Sequence, residues 1–285
     1  MNWKRSLTLV GLAFVALAVD AGPATGSARR WAKAMKSGSA AYQEADFASA
    51  EKQFKIALKE ALKFEMGDPR AIQTLIAVGN LYRAENKLDV ADGILRNARV
   101  VAEVWRGPTS PELAATLNAL GAVEASWNQF SEVSEAENLL RQALALREKL
   151  RGPDDPDVAT TLRNLGELLT NEFRPRYAEA EPLLKRALAI EEKALGPDDP
   201  AVASTLDDLG VLYMAEGRYR EAEPLERNAV AIFERTLRPD HPDVACALQH
   251  YAALLRQMHR DSEADSFDAR AFAIATNHLS SRHDP

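Results

Sequence analysis

Cysteine is almost missing from this sequence: Cys246 stands alone among 285 residues. One thiol excludes an intramolecular disulfide, and without a Cys-x-x-Cys pair it excludes a thiolate metal cage. The fold must therefore rest on packing. Basic charge is also short, with 35 Lys and Arg against 42 Asp and Glu for a formal net charge of −7. That balance lacks the positive footprint by which nucleic acid or an anionic membrane surface is bound, and it suits a basic partner better.

Catalytic signatures are missing as well. There is no Gly-x-Ser-x-Gly elbow, no phosphate-binding glycine loop and no dinucleotide fingerprint. His241, His250, His259, His278 and His283 form no His-Glu-x-x-His motif and no i,i+4 pair with one another, so no metal site is expected. Asp207 and Asp208 are adjacent, about 100° apart around a helix axis, and do not face each other as an acid/base dyad would. The expectation is a non-enzymatic protein with no catalytic residue, cofactor or metal. An enzyme built on a helical-repeat scaffold is the disfavoured reading.

A long apolar run occurs in one place. Lys4 and Arg5 precede an uncharged stretch from Leu7 to Val19, followed by Asp20, Ala21, Gly22, Pro23 and Ala24. A basic start, a short apolar core and small residues behind it match a secretory signal peptide cleaved after Ala21. The run is shorter than the roughly 20 residues that cross a bilayer as a helix. The sequence thus predicts a signal peptide over 1–21, a linker over 22–30 and a periplasmic or secreted protein. The alternative is an inner-membrane protein tethered by residues 6–19, which is the single route to a membrane association.

What the chain does have is repetition. Gly152-Pro153-Asp154-Asp155-Pro156, Gly196-Pro197-Asp198-Asp199-Pro200 and Arg238-Pro239-Asp240-His241-Pro242 superpose, Gly107-Pro108-Thr109-Ser110-Pro111 matches with small changes, and Gly67-Asp68-Pro69 is a shortened version. Pro108, Pro153, Pro197 and Pro239 lie 45, 44 and 42 residues apart. The Gly-Pro stops one helix, because glycine suits a left-handed C-cap and proline cannot continue. Asp68, Ser110, Asp155, Asp199 and His241 then precede a proline in the N-cap and first-turn arrangement that starts the next.

Behind each start the apolar residues recur at helical spacing. Val158, Leu162, Leu165, Leu168 and Leu169 mark a first helix, as do Val202, Leu206, Leu209 and Leu212. Tyr177, Ala180, Leu184, Ala187 and Ile190 mark a second helix, with Tyr219, Ala222, Leu225, Ala229 and Ile232 as its counterpart. Gly38, Gly79, Gly121, Gly166, Gly210 and Ala252 recur at one place in the first helices, where a missing side chain admits the partner helix. Trp105, in the position of Leu150, Leu195 and Leu237, is expected in the core, and Cys246 at its edge. Ala264, Phe267, Ala271 and Ile274 share one face of the last helix, which would serve self-assembly of copies if left open.

The strings "PDVATTLRNLGELL", "RYAEAEPLLKRALAIEEKALGPDDP" and "RYREAEPLERNAVAIFERTLRPDHP" resemble the long-period tetratricopeptide repeats of kinesin light chains and their bacterial relatives. The resemblance covers Gly107 to Leu279 over four repeats and, more weakly, Trp31 to Trp105 over two. It implies an all-α, right-handed superhelical solenoid of about six antiparallel helix pairs, with repeats near 31–66, 67–106, 107–151, 152–195, 196–237 and 238–279, and a tail over 280–285. It also implies that the first helices line a concave groove holding a peptide, a disordered segment or a partner's helix. The partner is then another protein or peptide, with homo-oligomer formation as the second reading.

The asparagine pair that contacts cargo in kinesin light chains is broken here. Asn118 keeps its first member and Asn164 its second, while Asp207-Asp208 and Gln249-His250 replace it in the last two repeats, so cargo specificity is not carried over. On the first helices away from the apolar stripe, the candidate groove residues are Asn118, Arg163, Asn164, Glu167, Thr170, Asn171, Ser204, Asp207, Asp208, Gln249, His250 and Arg256. Trp127 and Phe130, in a longer turn of the third repeat, are an aromatic anchor for a partner or a plug against the next repeat.

Overall fold

The computed structural model of the chain describes residues 24–65, 67–127, 135–171 and 175–280; the segment over 1–21 and Phe130 lie outside them. Among the described residues the fold is wholly helical, with twelve α-helices arranged as six pairs. The first helices are α1 (Ala24–Gln43), α3 (Pro69–Ala84), α5 (Pro111–Trp127), α7 (Pro156–Asn171), α9 (Pro200–Ala215) and α11 (Pro242–Gln257). The second helices are α2 (Phe47–Ala61), α4 (Leu88–Val101), α6 (Glu135–Arg151), α8 (Tyr177–Leu195), α10 (Tyr219–Thr236) and α12 (Asp261–Ser280). Residues 24–30, expected as a linker, are instead the opening turns of α1, where Ser27 is buried.

The punctuation works as its chemistry requires. The amide of Arg70 donates to Asp68 Oδ1 at 2.9 Å, that of Leu113 to Ser110 Oγ at 3.2 Å and that of Asp157 to Asp155 Oδ1 at 2.9 Å. Ala201 and Asp243 donate likewise to Asp199 Oδ1 and His241 Nδ1, at 2.8 and 3.1 Å. Each accepted bond satisfies an amide that the first turn leaves without an intrahelical partner.

The chain divides into two compact units, Met1–Pro153 and Asp154–Pro285. In the first, Phe54, Leu58, Ile72, Leu81, Leu95, Leu113, Leu120 and Leu139 belong to one buried cluster drawn from all three pairs. Arg96 on α4 pairs with Asp92 of its own helix and ties the second pair to the third through Glu124 and Glu135. Trp105 does not join the core. It lies in a π-helical turn, Ala102–Arg106, and is 53% exposed. Leu150, in the same place of its repeat, is exposed too. The helical periodicity carries the apolar stripe one turn further than the packing does.

In the second unit Leu162, Leu165, Leu169, Leu184 and Leu212 are fully buried. One staple recurs at the repeat spacing: Arg218 binds Glu181 at 3.0 Å, and Arg260 binds Glu223 at 2.5 Å. The stripe of Ala264, Phe267, Ala271 and Ile274 on the last helix is taken up in part inside its own pair, with Phe267 and Ile274 half-buried. Ala264 and Ala271 are buried, and Phe267 packs on Tyr251 with ring centroids 4.8 Å apart. Among the described side chains of α12, the large apolar residue left outside is Phe272.

Candidate binding face

The candidate face of the second unit is carried by its first helices α7, α9 and α11, which lie side by side. Val158, Leu162, Leu165 and Leu169 turn the apolar side of α7 inward, as Val202, Leu209 and Leu212 do for α9 and Val244, Leu248 and Leu255 for α11. The polar residues between them meet across neighbouring helices. Arg163 on α7 pairs with Asp208 on α9, Nη1 to Oδ2, at 3.7 Å. Asp207, the next residue of α9, reaches the other way, its Oδ1 and Oδ2 lying 3.1 and 3.0 Å from His250 Nδ1 on α11. The other ring nitrogen, Nε2, is 3.8 Å from Cys246 Sγ, one turn earlier on α11. A chain of charged groups thus links three helices, with the adjacent aspartates facing opposite neighbours.

The electrostatics follow from partial burial. Burial pushes the Asp208 carboxyl well up, Glu167 and Asp207 add to the rise, and Arg163 and His250 oppose it. For Arg163 burial works against the charge, but the carboxylates of Asp208, Glu167 and Glu191 outweigh it and hold the guanidinium charged. The bond to Asp207, then the contact with Cys246, pushes His250 up to about 11, so it is an imidazolium at neutral pH.

Behind this row lies Glu226 on α10, which is fully buried, and neither carboxyl oxygen has a hydrogen-bond partner. Burial pushes it far up, reinforced by the Asp207 carboxylate, so it is neutral at pH 7. Its side chain packs against Gly210 of α9. Glu191 on α8 is a second buried carboxyl, also pushed up by burial, but it accepts a hydrogen bond from Thr205 Oγ1 at 2.5 Å.

The structure brings together four of the candidate residues, Arg163, Asp207, Asp208 and His250. Glu167, Asn171 and Gln249 are exposed, and Asn164 and Ser204 are half-buried, with the Ser204 hydroxyl donating to the Pro200 carbonyl at 3.1 Å. Thr170 is buried and donates to the Gly166 carbonyl at 2.9 Å, so it belongs to the helix rather than the face. Asn118 is buried in α5, in the other unit. Arg256 stands apart: it pairs with Asp265 and Asp268 and ties α11 to α12. Trp127 is 51% exposed at the end of α5.

Sequence reasoning misses Glu226 and the exposure of Cys246. Alignment on Tyr177 and Tyr219 places Glu226, not Leu225, opposite Leu184. Leu225 is accordingly half-buried beside a fully buried Glu226. Among the described residues no group of three His, Cys, Asp or Glu side chains is placed to hold a metal ion, and no helix is long and apolar enough to cross a membrane.

Comparison with known proteins agrees with this architecture. Sequence families described as "Tetratricopeptide repeat" match residues 113–157, 174–235 and 209–277. BtubC (BKLC) from P. vanneervenii is similar in fold, with 20% identity and a TM-score of 0.58 over 92% of this chain and 94% of its own. A putative kinesin light chain with nearly identical TPR-like repeats, from Podosopora anserina, is 22% identical with a TM-score of 0.55, covering 74% of this chain and 98% of its own. A Rap protein complexed with Competence and Sporulation Factor is 15% identical with a TM-score of 0.64, covering 88% and 76%. None of the curated proteins matches the sequence.

Proposed function

We propose, from the premise that the chain belongs to the tetratricopeptide repeat family, that it is a non-enzymatic scaffold holding a peptide, a disordered segment or a helix of another protein. The observation that carries this reading is the face of α7, α9 and α11. Its apolar residues are consumed by packing within the unit, and what it turns outward is a row of polar and charged groups, with Glu167, Asn171 and Gln249 exposed beside it. A repeat scaffold satisfies its own core and leaves such a surface free for a ligand. The Rap protein of similar fold, solved with Competence and Sporulation Factor, gives the reading a precedent.

Placement outside the inner membrane belongs to the same proposal and rests on Lys4, Arg5, the apolar run from Leu7 to Val19 and the small residues behind it. Amino-terminal sequencing of the protein purified from its native envelope should begin at Gly22. An intact Met1 in a membrane pellet would favour the tethered alternative.

The binding test must spare residues that hold helices together. Arg163, Asp207 and His250 bridge α7, α9 and α11, so their loss would confuse folding with binding. Exposed Glu167 and Gln249 are better targets. The protein from Gly22 onward is used to capture partners from the native envelope fraction, beside a Glu167→Arg, Gln249→Arg variant of unchanged helicity by circular dichroism. A partner lost in the variant supports the face; a partner retained equally moves the binding surface elsewhere and ends this assignment.

A further inference from the structure

The formal charge of −7 conceals an uneven distribution: residues 24–65, which hold the first helix pair, have eight Lys and Arg against five Asp and Glu, whereas residues 66–285 have 25 against 36. Over its 20 residues α1 carries Arg29, Arg30, Lys33 and Lys36 and no acid. On α2, Lys52, Lys55, Lys59 and Lys63 recur at spacings of three and four, so they share one side of that helix. The buried Glu60 of α2 draws the two sets together, with Arg30 Nε 3.2 Å and Lys63 Nζ 2.8 Å from its carboxyl oxygens. Lys55 pairs with Glu51 at 3.0 Å. Arg29, Lys33, Lys36, Lys52 and Lys59 are exposed and have no ion-pair partner among the described residues. Ile56 and Leu62, 41% and 42% exposed, stand among the lysines of α2.

The position of this pair explains its polarity but not its sign. Five residues before the repeat glycine, Thr74, Thr116, Thr161 and Thr205 are fully buried, and Trp31 and Glu191 of the preceding pairs bond Thr74 and Thr205. Lys33 holds that place in α1, before Gly38, and is exposed. A terminal repeat needs a polar outer side, which charge of either sign supplies. In this acidic chain every charged group of α1 is nevertheless basic.

We propose that the basic surface of α1 and α2 docks on an anionic phospholipid bilayer. The ammonium and guanidinium groups lie at the level of the lipid phosphates, the lysine stems run along the interface, and Ile56 and Leu62 enter the headgroup layer between them. Each Lys or Arg near an anionic surface adds to the attraction, which falls off within a Debye length, so the contact is salt-sensitive. A bilayer is the polyanion that the sequence sets beside this pair: the apolar run ending at Val19 stands five residues before Ala24, where α1 begins. Kept on the chain, that run and the basic surface are two membrane signals acting together; once the run is cut, the basic surface alone gives reversible attachment. The face of α7, α9 and α11 belongs to the other unit, so this inference stands apart from the proposed scaffold role.

The test uses the chain from Gly22 onward, which keeps every described residue and omits the apolar run that would enter a bilayer by itself. Co-sedimentation is measured with vesicles of phosphatidylcholine carrying about one-third phosphatidylglycerol and with vesicles of phosphatidylcholine alone, at low salt and at about 0.5 M NaCl. The wild type should partition to the anionic vesicles at least about tenfold more strongly than to the neutral ones, and lose that preference at high salt. A variant with Lys33→Gln, Lys36→Gln, Lys52→Gln and Lys59→Gln, none of which breaks an ion pair, should partition at least about tenfold less. A second variant, Lys87→Gln, Lys149→Gln, Lys185→Gln and Lys193→Gln, removes as many exposed lysines from other pairs and should stay within about twofold of the wild type. If the first variant loses helicity by circular dichroism, its α1 half and its α2 half are measured separately. Equal sedimentation of the wild type with both kinds of vesicle, none with either at low salt, equal losses in the two variants, or undiminished binding by a folded first variant would overturn the proposal. Capture of a short DNA duplex in preference to the anionic vesicles would also overturn it, and would give the surface to nucleic acid instead.

Discussion

Glu226 occupies in α10 the place that Leu184 occupies in α8, seven residues after the tyrosine that opens each helix, and each side chain packs against the glycine of its partner first helix, Gly210 and Gly166. Leu95 on Gly79 and Leu140 on Gly121 repeat the contact. The site is thus shaped for leucine and filled by a carboxyl without a hydrogen-bond partner. An unsatisfied buried polar group costs about 1–3 kcal/mol. Glu226→Leu should stabilise the protein by that amount, read as a higher urea midpoint at pH 7. A lower midpoint would mean that the carboxyl has a favourable partner after all.

The same carboxyl gives stability a pH dependence of definite sign. Its pKa is raised in the folded chain from 4.5 to about 9, so between those values the folded state holds a proton that the unfolded state releases. The contribution of Glu226 is fully present below pH 4.5, falls as pH rises and is lost above about 9. His250, raised from 6.5 to about 11, acts in the same direction: its contribution is complete below 6.5 and lost towards 11. The wild-type urea midpoint should therefore fall from pH 5 to pH 9. Glu226→Leu removes one of these two components, so its advantage over the wild type should widen across that range. Parallel curves for the two proteins would show that Glu226 keeps an ordinary pKa.

The helices were legible because their boundaries are written in local chemistry. Each Asp-Pro, Ser-Pro or His-Pro start acts over a few residues, and the repeat states it five times, three of them behind a Gly-Pro stop. The face was legible in part. Arg163 and Asp208 lie 45 residues apart, Asp207 and His250 43 apart, so a search for opposite charges one repeat apart would have paired them. Glu226 escaped because a stripe drawn through Leu225 is also apolar, and one step of register separates a core residue from a half-buried one. Arg256 escaped for another reason: whether a residue in the last turn of a first helix faces the groove or its own partner helix depends on how the pair packs.

The turn within a pair offers a gain in stability at a different place. Gly217 stands there with φ 74° between α9 and α10, while Ala45, Asn86 and His259 take the same left-handed conformation in three other pairs, with φ 55°, 57° and 60°. A side chain with a Cβ is disfavoured in that region by roughly 1–2 kcal/mol, asparagine less so. His259 is exposed, so its ring adds little packing to lose. His259→Gly should raise the melting temperature, with a net gain of about 1 kcal/mol after the entropy of the freer unfolded chain is subtracted. Asn86→Gly should gain less, and an equal gain at both positions would argue against the conformational explanation.

Two helical glycines separate propensity from packing. A methyl group on Gly93 of α4 would meet nothing within 4 Å, whereas on Gly166 of α7 it would sit 2.6 Å from the branched end of Leu184. Gly93→Ala should then stabilise by up to about 1 kcal/mol, the helix-propensity difference. Gly166→Ala receives the same benefit but drives Leu184 off its position, a form of overpacking that costs about 1–3 kcal/mol, so the net change should be destabilising. Leu184→Ala makes room for the methyl while opening a cavity of its own, and the double variant should be more stable than the sum of the two single changes requires. That coupling, measured as a double-mutant cycle in urea, isolates the contact between the two residues. An additive result would place the function of Gly166 in backbone conformation rather than in the close approach of α8.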